Sequence, residues 1–259
     1  MRALILAAGE GSRLKPLTND RPKVMVELNG RSILDRQVAV LNSLGITDIA
    51  LATGFSSHCF AELGLPTFDN ANWERTNMVA SMFNAADFLD AGQEDIIVAY
   101  GDIVYEQRVL AKLLESDSSV AITSDTQWQK YWALRTNDIF GDIESFVIDD
   151  AKNVLELGKR VTSFEKVKGQ FMGLMKFRSD RIFHLKTFYD ALPRDILYDG
   201  QRFEKMYMTS FIQALIQSGE MVRAVEVKSG WLETDSLTDI ELYYDLASQN
   251  RLQDFYADW

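Results

Sequence analysis

Apolar residues run without interruption from Ala3 to Ala8, directly after Met1 and Arg2. A short unbroken run closed by Gly9 predicts a strand over 2–8 that is covered on both faces. The spacing then changes. Ile33, Leu34, Val38, Leu41 and Leu44 recur at helical intervals, which predicts a helix over 32–44, and Gly45 supplies its stop. Strands follow over 48–53, 95–100 and 119–123, alternating with helices over 77–88 and 109–114. In the first of these helices Met78, Met82, Ala85 and Ala86 share a face. Repeated strand–helix–strand units predict an α/β fold with a doubly wound, mostly parallel sheet flanked by helices.

The rhythm changes beyond about Asp125. Apolar runs over 143–148 and 154–157 flank Asp149 and Asp150, a hairpin signal. A strand is expected over 170–177, helices over 180–191 and 209–217, a late strand over 221–227 and a closing helix within 239–259. No repeat, low-complexity stretch or linker interrupts the chain, so one domain with a mixed second half is expected over 1–259.

Composition narrows the function. The 259 residues are 47% apolar, enough for a sizeable core, and carry a formal net charge of -11. That charge argues against a nucleic-acid partner, while a small anion needs only a few local cations. One cysteine, Cys59, can form neither an internal disulfide nor a metal cluster, which points to a reducing compartment. The start faintly imitates a signal peptide, but the apolar run is too short and meets glycine and charge at once. No run approaches the ~18 apolar residues of a membrane span. A cytoplasmic protein without membrane insertion is expected, and a homodimer is compatible with the sequence.

The chemistry begins where the first strand ends. Ala8, Gly9, Glu10, Gly11, Ser12 and Arg13 are followed by Pro16, Leu17, Thr18, Pro22 and Lys23. Gly9 and Gly11 let backbone amides approach an anion, Arg13 can fork onto phosphate oxygens and Lys23 adds a point charge. The string is neither a Walker A loop nor a dinucleotide fingerprint, because Leu14 stands where the latter needs a third glycine. The bland alternative is an ordinary turn with solvated Arg13 and Lys23. Asp102, after Tyr100 and Gly101, sits at the C-terminal end of a predicted strand, where open α/β sheets bind ligands. It can hold Mg²⁺ or simply cap a helix. Asp235 has the same two readings.

The string from Leu4 to Lys23 resembles the signature of nucleotidyltransferases that make NDP-sugars and CDP-alcohols. Trp132 and Arg135, the segment Asp142–Glu144, Gly158–Arg160 and the segment Gly169–Gly173 resemble the branch of phosphocholine and phosphonate cytidylyltransferases. The resemblance implies a Rossmann-like fold, with 1–125 as the nucleotide half and 126–259 as the acceptor half. It implies a cytidylyltransferase that joins CTP to a small phosphorylated alcohol or a phosphonate, of the phosphocholine or 2-aminoethylphosphonate type, and releases pyrophosphate.

The same resemblance distributes roles. Leu6, Ala7, Ala8, Gly9, Glu10, Gly11, Ser12, Asn77, Ser81 and Gly101 surround the nucleotide. Arg13 holds the leaving pyrophosphate, Lys23 the α-phosphate and Lys159 the acceptor phosphate; a solvated turn lysine is the alternative for Lys159. Asp102 and Asp235 hold Mg²⁺, with Glu233 a weaker neighbour. Thr76, Trp132, Asp142, Glu144, Phe171 and Gly173 fall on the acceptor side. Trp128, Tyr131, Trp132 and Phe171 either wall an ammonium group or belong to the core. Asp142 and Glu144 either meet a substrate amine or pair with Lys159 or Arg135. Tyr207 departs from the branch, where an acidic residue is expected. An already anionic acceptor needs no general base, so His58 and His184 are read as structural. The rival hypotheses are a sugar-1-phosphate nucleotidyltransferase using UTP, dTTP or CTP, and an inactive nucleotide-binding regulator.

Overall fold

In the computed structural model, which describes residues 1–90 and 94–259, seven strands form one sheet. They are β1 (Arg2–Ala7), β2 (Asp48–Thr53), β3 (Thr67–Asp69), β4 (Ile96–Tyr100), β5 (Val120–Asp125), β6 (Gln170–Phe177) and β7 (Val222–Val227). Their spatial order is β7-β5-β6-β4-β1-β2-β3. All neighbours are parallel except β6, which runs antiparallel to both β4 and β5. The expected mostly parallel sheet is therefore present, with one reversed strand contributed by the second half of the chain.

The unbroken apolar run of β1 follows from its central place. Successive side chains leave a strand on opposite faces, so Ala3, Ile5 and Ala7 join one core while Leu4 and Leu6 join the other. The helix Ile33–Ser43 starts at Ser32, whose hydroxyl accepts the Asp35 amide at 3.0 Å. The helix expected over 77–88 is instead two pieces, Met78–Asn84 and Ala86–Asp90. The break at Ala85 lets Phe88 and Leu89 both reach the core, where the Arg2 guanidinium covers the Phe88 ring at 4.0 Å. A further helix, Trp128–Arg135, buries Trp128, Tyr131 and Trp132. Their spacing is helical, although no helix was expected there.

Two short pairings outside the sheet shape the site. Strands Glu144–Ile148 and Val154–Arg160 form the expected hairpin, with Asp149 Oδ1 accepting the Asn153 amide at the turn. Strand Ile103–Tyr105 pairs antiparallel with Trp231–Glu233, placing Ile103 opposite Glu233. That register brings the residues just before Ile103 and just after Glu233 together. The amide of Thr234 donates to the carbonyl of Asp102 at 2.8 Å. The last helix, Leu237–Ser248, begins at Ser236 with a reciprocal capping box to Asp239. Among the described residues, no helix is long and apolar enough to cross a membrane.

Candidate active site

Leu6 of β1 is registered with Tyr100 of β4, so both strands end at the same edge of the sheet. The loop after Ala7 and the Gly101–Asp102 turn leave side by side from that edge. Gln37, fully buried on the helix Ile33–Ser43, donates to the carbonyls of Tyr100 and Ile103 at 2.8 and 2.7 Å. It thereby braces the turn that carries Asp102.

The glycine loop is held from within. Gly11 has φ +70°, and a Cβ there would lie 2.9 Å from Cβ of Lys23, so a side chain is barred by both backbone and space. The buried Thr18 hydroxyl donates to the Gly11 carbonyl at 2.8 Å. Lys23 opens a short 3-10 turn, Lys23–Met25, directly after Pro22. Its side chain is only 13% exposed and runs back beneath the loop.

The Lys23 amine bridges two carboxylates, at 2.9 Å from Asp102 Oδ2 and 2.6 Å from Asp235 Oδ1. Burial works against its charge, but Asp102 and Asp235 outweigh that and hold the amine protonated well above the usual lysine range. Burial likewise opposes ionisation of Asp235, yet Lys23 and then Arg13 and Arg135 bring its carboxyl below the ordinary value. The second oxygen of Asp102, Oδ1, is buried without a hydrogen-bond partner. Arg13, 68% exposed, approaches Asp235 at 3.3 Å.

Two cavities meet at this pair. The first, about 290 Å³, is lined by Leu6, Ala7, Ala8, Gly9, Glu10, Lys23, Thr76, Asn77, Ser81, Gly101 and Asp102. The second, about 440 Å³, is lined by Arg13, Asp102, Trp132, Asp142, Glu144, Phe171, Glu233 and Asp235. Asp102 belongs to both. A backbone-lined cavity, two cations and two carboxylates at the seam suit the handling of a nucleoside triphosphate next to a second substrate.

A model of the MobA-like NTP transferase domain matches residues 3–162. The chain belongs to this family. A CTP:phosphoglutamine cytidylyltransferase of Campylobacter jejuni is 39% identical over 251 residues, which cover 93% of this chain and 98% of that protein. A 2-aminoethylphosphonate cytidylyltransferase of Lancefieldella rimae is 26% identical over 162 residues, 61% of this chain and 60% of its own. In fold, the CTP:phosphocholine cytidylyltransferase of Streptococcus pneumoniae matches with a TM-score of 0.71 at 20% identity, covering 95% of this chain and 98% of that one. The chain is thus an enzyme, a nucleotidyltransferase of the cytidylyltransferase type.

Within this NTP transferase, most residues singled out in the sequence converge on the seam, and some do not. Thr76, expected on the acceptor side, stands in the wall of the first cavity. Its hydroxyl accepts from Asn70 and donates to the Asn72 carbonyl, leaving Asn77 alone as the cap of the helix Met78–Asn84. Gly11, Ser12, Lys159 and Gly173 line neither cavity. The Lys159 amine is paired with Asp199, and its side chain is partly exposed. Gly173, at φ +77°, sits where a Cβ would lie 2.5 Å from the Tyr100 ring. It therefore makes room for Tyr100, which meets Phe171 edge-on at 5.7 Å in the wall of the second cavity.

The aromatic residues divide. Trp128 and Tyr131 are core, because neither lines the cleft and both are buried. Trp132 reaches the second cavity, but its ring already carries the Arg135 guanidinium at 5.4 Å and its Nε1 donates to Asp142 at 2.8 Å. Asp142 is therefore paired with Trp132, not with Lys159 or Arg135. Glu144 is raised above the ordinary carboxyl range by burial, then by Asp199 and Asp142, with Thr209 opposing. Tyr207 lines the same cavity and accepts from Gln201 through its hydroxyl at 3.1 Å.

Several site residues gave little notice in the sequence. Trp73, Glu74 and Lys205 complete the first cavity; the Lys205 amine donates to the Glu74 and Thr76 carbonyls and pins that wall. Thr209 joins Gln170 and Tyr207, which lie in or beside segments already marked in the sequence, in the second. Arg135, marked together with Trp132, has a further signal as a cation on the same helical face as Tyr131 and Trp132.

Proposed function

We propose that this enzyme is a Mg²⁺-dependent cytidylyltransferase that joins CTP to a small, amine-bearing phosphorylated acceptor, with release of pyrophosphate. Phosphoglutamine is the first acceptor to consider, because the C. jejuni relative named for it aligns along almost the whole chain. Phosphocholine and 2-aminoethylphosphonate are the others.

The observation that carries this reading is Lys23 held between Asp102 and Asp235 where the two cavities join. A phosphoryl acceptor is already anionic, so the residues must align three charged groups and neutralise them rather than abstract a proton. Arg13, exposed at the mouth of the second cavity, takes the β- and γ-phosphates. Lys23, released from one of its carboxylates, follows the α-phosphate. Backbone groups from Leu6 to Gly9 meet ribose and base in the first cavity. Asp142 and Glu144 give the second cavity acidic groups, whereas Glu233 is already paired with Arg135; this favours an acceptor with a cationic end.

The donor set suits Mg²⁺. Among the described residues no cluster of three or more His, Cys, Asp or Glu is arranged to hold a metal alone. Mg²⁺ is ordinarily held by one or two carboxylates together with substrate phosphates, and Asp102 and Asp235 supply two, with Asp102 Oδ1 lacking any other partner. Those two residues would hold it, and it would neutralise the charge that develops on the phosphate oxygens.

Pyrophosphate release measured over CTP, UTP and dTTP against phosphoglutamine, phosphocholine, 2-aminoethylphosphonate and glucose 1-phosphate tests the reading. Turnover of CTP with an amine-bearing acceptor, abolished by EDTA and restored by Mg²⁺, is expected. Turnover only with UTP or dTTP and the sugar phosphate would replace it with the sugar-1-phosphate reading.

A further inference from the structure

Arg135 ends the helix Trp128–Arg135 with its guanidinium inside the protein, 5% exposed. Burying that cation is costly unless its donors are met. Nη1 donates to Glu233 Oε2 at 2.6 Å and Nε to Asp239 Oδ1 at 2.9 Å, while Nη2 lies 3.9 Å from Asp235 Oδ2. The rings of Tyr131 and Trp132 flank it at 5.3 and 5.4 Å.

The second oxygen of Asp239 faces the other way. Oδ2 accepts the backbone amides of Asp235 and Ser236 at 2.9 and 2.8 Å and the Ser236 hydroxyl at 3.0 Å. One carboxylate thus spans from the guanidinium to the backbone of Asp235. On the near side, the Glu233 backbone is already clamped: its amide donates to the Tyr131 hydroxyl at 2.9 Å and its carbonyl accepts from Tyr243. The backbone before Asp235 is therefore fixed without Arg135, whereas the backbone of Asp235 itself is fixed through Asp239, which Arg135 orients.

We infer that Arg135 is a positioning residue of the active site, setting the carboxylate of Asp235 through Asp239 for the nucleotide-bound metal. The inference rests on the proposed role of Asp235. A planar fork holds Glu233 and Asp239 at once; a lysine, with one point charge, holds one of them. Residues that orient a ligand from behind typically change metal affinity when removed, because the ligand loses its fixed direction.

The test compares Arg135→Lys, Asp239→Asn and Asp235→Asn with the parent enzyme. Calorimetric binding of CTP with and without Mg²⁺, in the absence of acceptor, gives a readout independent of turnover. Half-saturating Mg²⁺ for pyrophosphate release gives a second. Arg135→Lys and Asp239→Asn are expected to weaken Mg²⁺-dependent CTP binding and raise half-saturating Mg²⁺ by about tenfold or more, while metal-free CTP binding stays within about twofold. Arg135→Ala is expected to regain part of this on addition of millimolar guanidinium. If Arg135→Lys does not fold, Asp239→Asn decides the same point. Lowered thermal stability with unchanged Mg²⁺ dependence in these variants, while Asp235→Asn loses it, would overturn the inference and leave Arg135 a purely structural cation. If Asp235→Asn itself binds MgCTP like the parent, it is the metal reading of Asp235 that fails, and the positioning role falls with it.

Discussion

The Lys23 amine lies 2.9 Å from Oδ2 of Asp102, although 79 positions separate them in the chain. The same amine reaches Asp235, 212 positions away, at 2.6 Å. One side chain thus ties the glycine loop to both carboxylates at the seam of the two cavities. The lysine offsets the charge of two acidic groups held at one point.

Replacing Asp102 with Asn should remove the carboxylate proposed to hold Mg²⁺ while keeping its size. Turnover should fall by about a hundredfold or more, the scale of deleting one preorganised electrostatic group from an active site. Circular dichroism should be unchanged, because Lys23 keeps Asp235. An Asp102→Asn enzyme that retains full kcat would contradict the assignment.

Lys23→Met should cost both activity and stability. It removes the amine between two partly buried carboxylates, leaving only Arg13 and Arg135 near Asp235. A fully buried pair broken this way costs about 3–5 kcal/mol, and partial exposure reduces that to roughly 1–3 kcal/mol. The pH dependence has a definite sign. Asp235 is held below its ordinary value in the folded parent. Its contribution is present above about pH 4 and lost as pH falls through the lowered folded value. Urea unfolding should therefore show a gap between parent and variant that is wide at pH 7 and narrows below pH 4. An equal gap at both would refute the electrostatic account.

Glu144→Gln tests the acidic end of the second cavity. The folded-state value of Glu144 is raised, first by burial. The folded protein then holds a proton that the unfolded chain releases near pH 4, so the parent loses stability as pH rises from there through the raised value. The Gln variant should lack this decline. For an amine-bearing acceptor, KM should rise about tenfold, the worth of one charge-assisted hydrogen bond, with KM for CTP unchanged. Equal KM values for parent and variant across phosphoglutamine, phosphocholine and 2-aminoethylphosphonate would remove Glu144 from acceptor recognition.

Gly173→Ala should destabilise by about 1–3 kcal/mol, because φ +77° strains an L side chain and the new methyl meets the Tyr100 ring. The midpoint of urea unfolding reads this directly. Acceptor KM should rise with it, since Tyr100 is displaced in the wall that the two cavities share. Unchanged stability would mean that β6 relaxes around the methyl.

Much of this was legible in the chain. Strands β2 and β6 have the bounds that periodicity predicts. Within the loop from Gly9 to Lys23, Gly9, Glu10, Arg13 and Lys23 line the cavities, whereas Gly11 and Ser12 do not. The helix Trp128–Arg135 is hard to read although Trp128, Tyr131 and Trp132 keep helical spacing; its eight residues bury only this one row, with Gln129, Lys130 and Ala133 exposed, and two turns are too short for a period to stand out. Lys159 and Gly173 carried a motif's promise but line neither cavity, since motif membership does not say which way a side chain points.

The sequence by itself determined local features: which strands are apolar enough to lie within a sheet, where glycines leave the backbone bare, and which residue types wait at strand ends. Those follow from interactions among neighbours in the chain. Only the tertiary structure decided that Lys23 bridges Asp102 and Asp235, that Asp142 answers Trp132, and that Arg135 stands behind Asp235. The first of these depends on the pairing of Ile103–Tyr105 with Trp231–Glu233, which brings Asp102 and Asp235 to one place. Long-range register, set by the packing of both cores at once, leaves no periodic trace in the sequence of either partner.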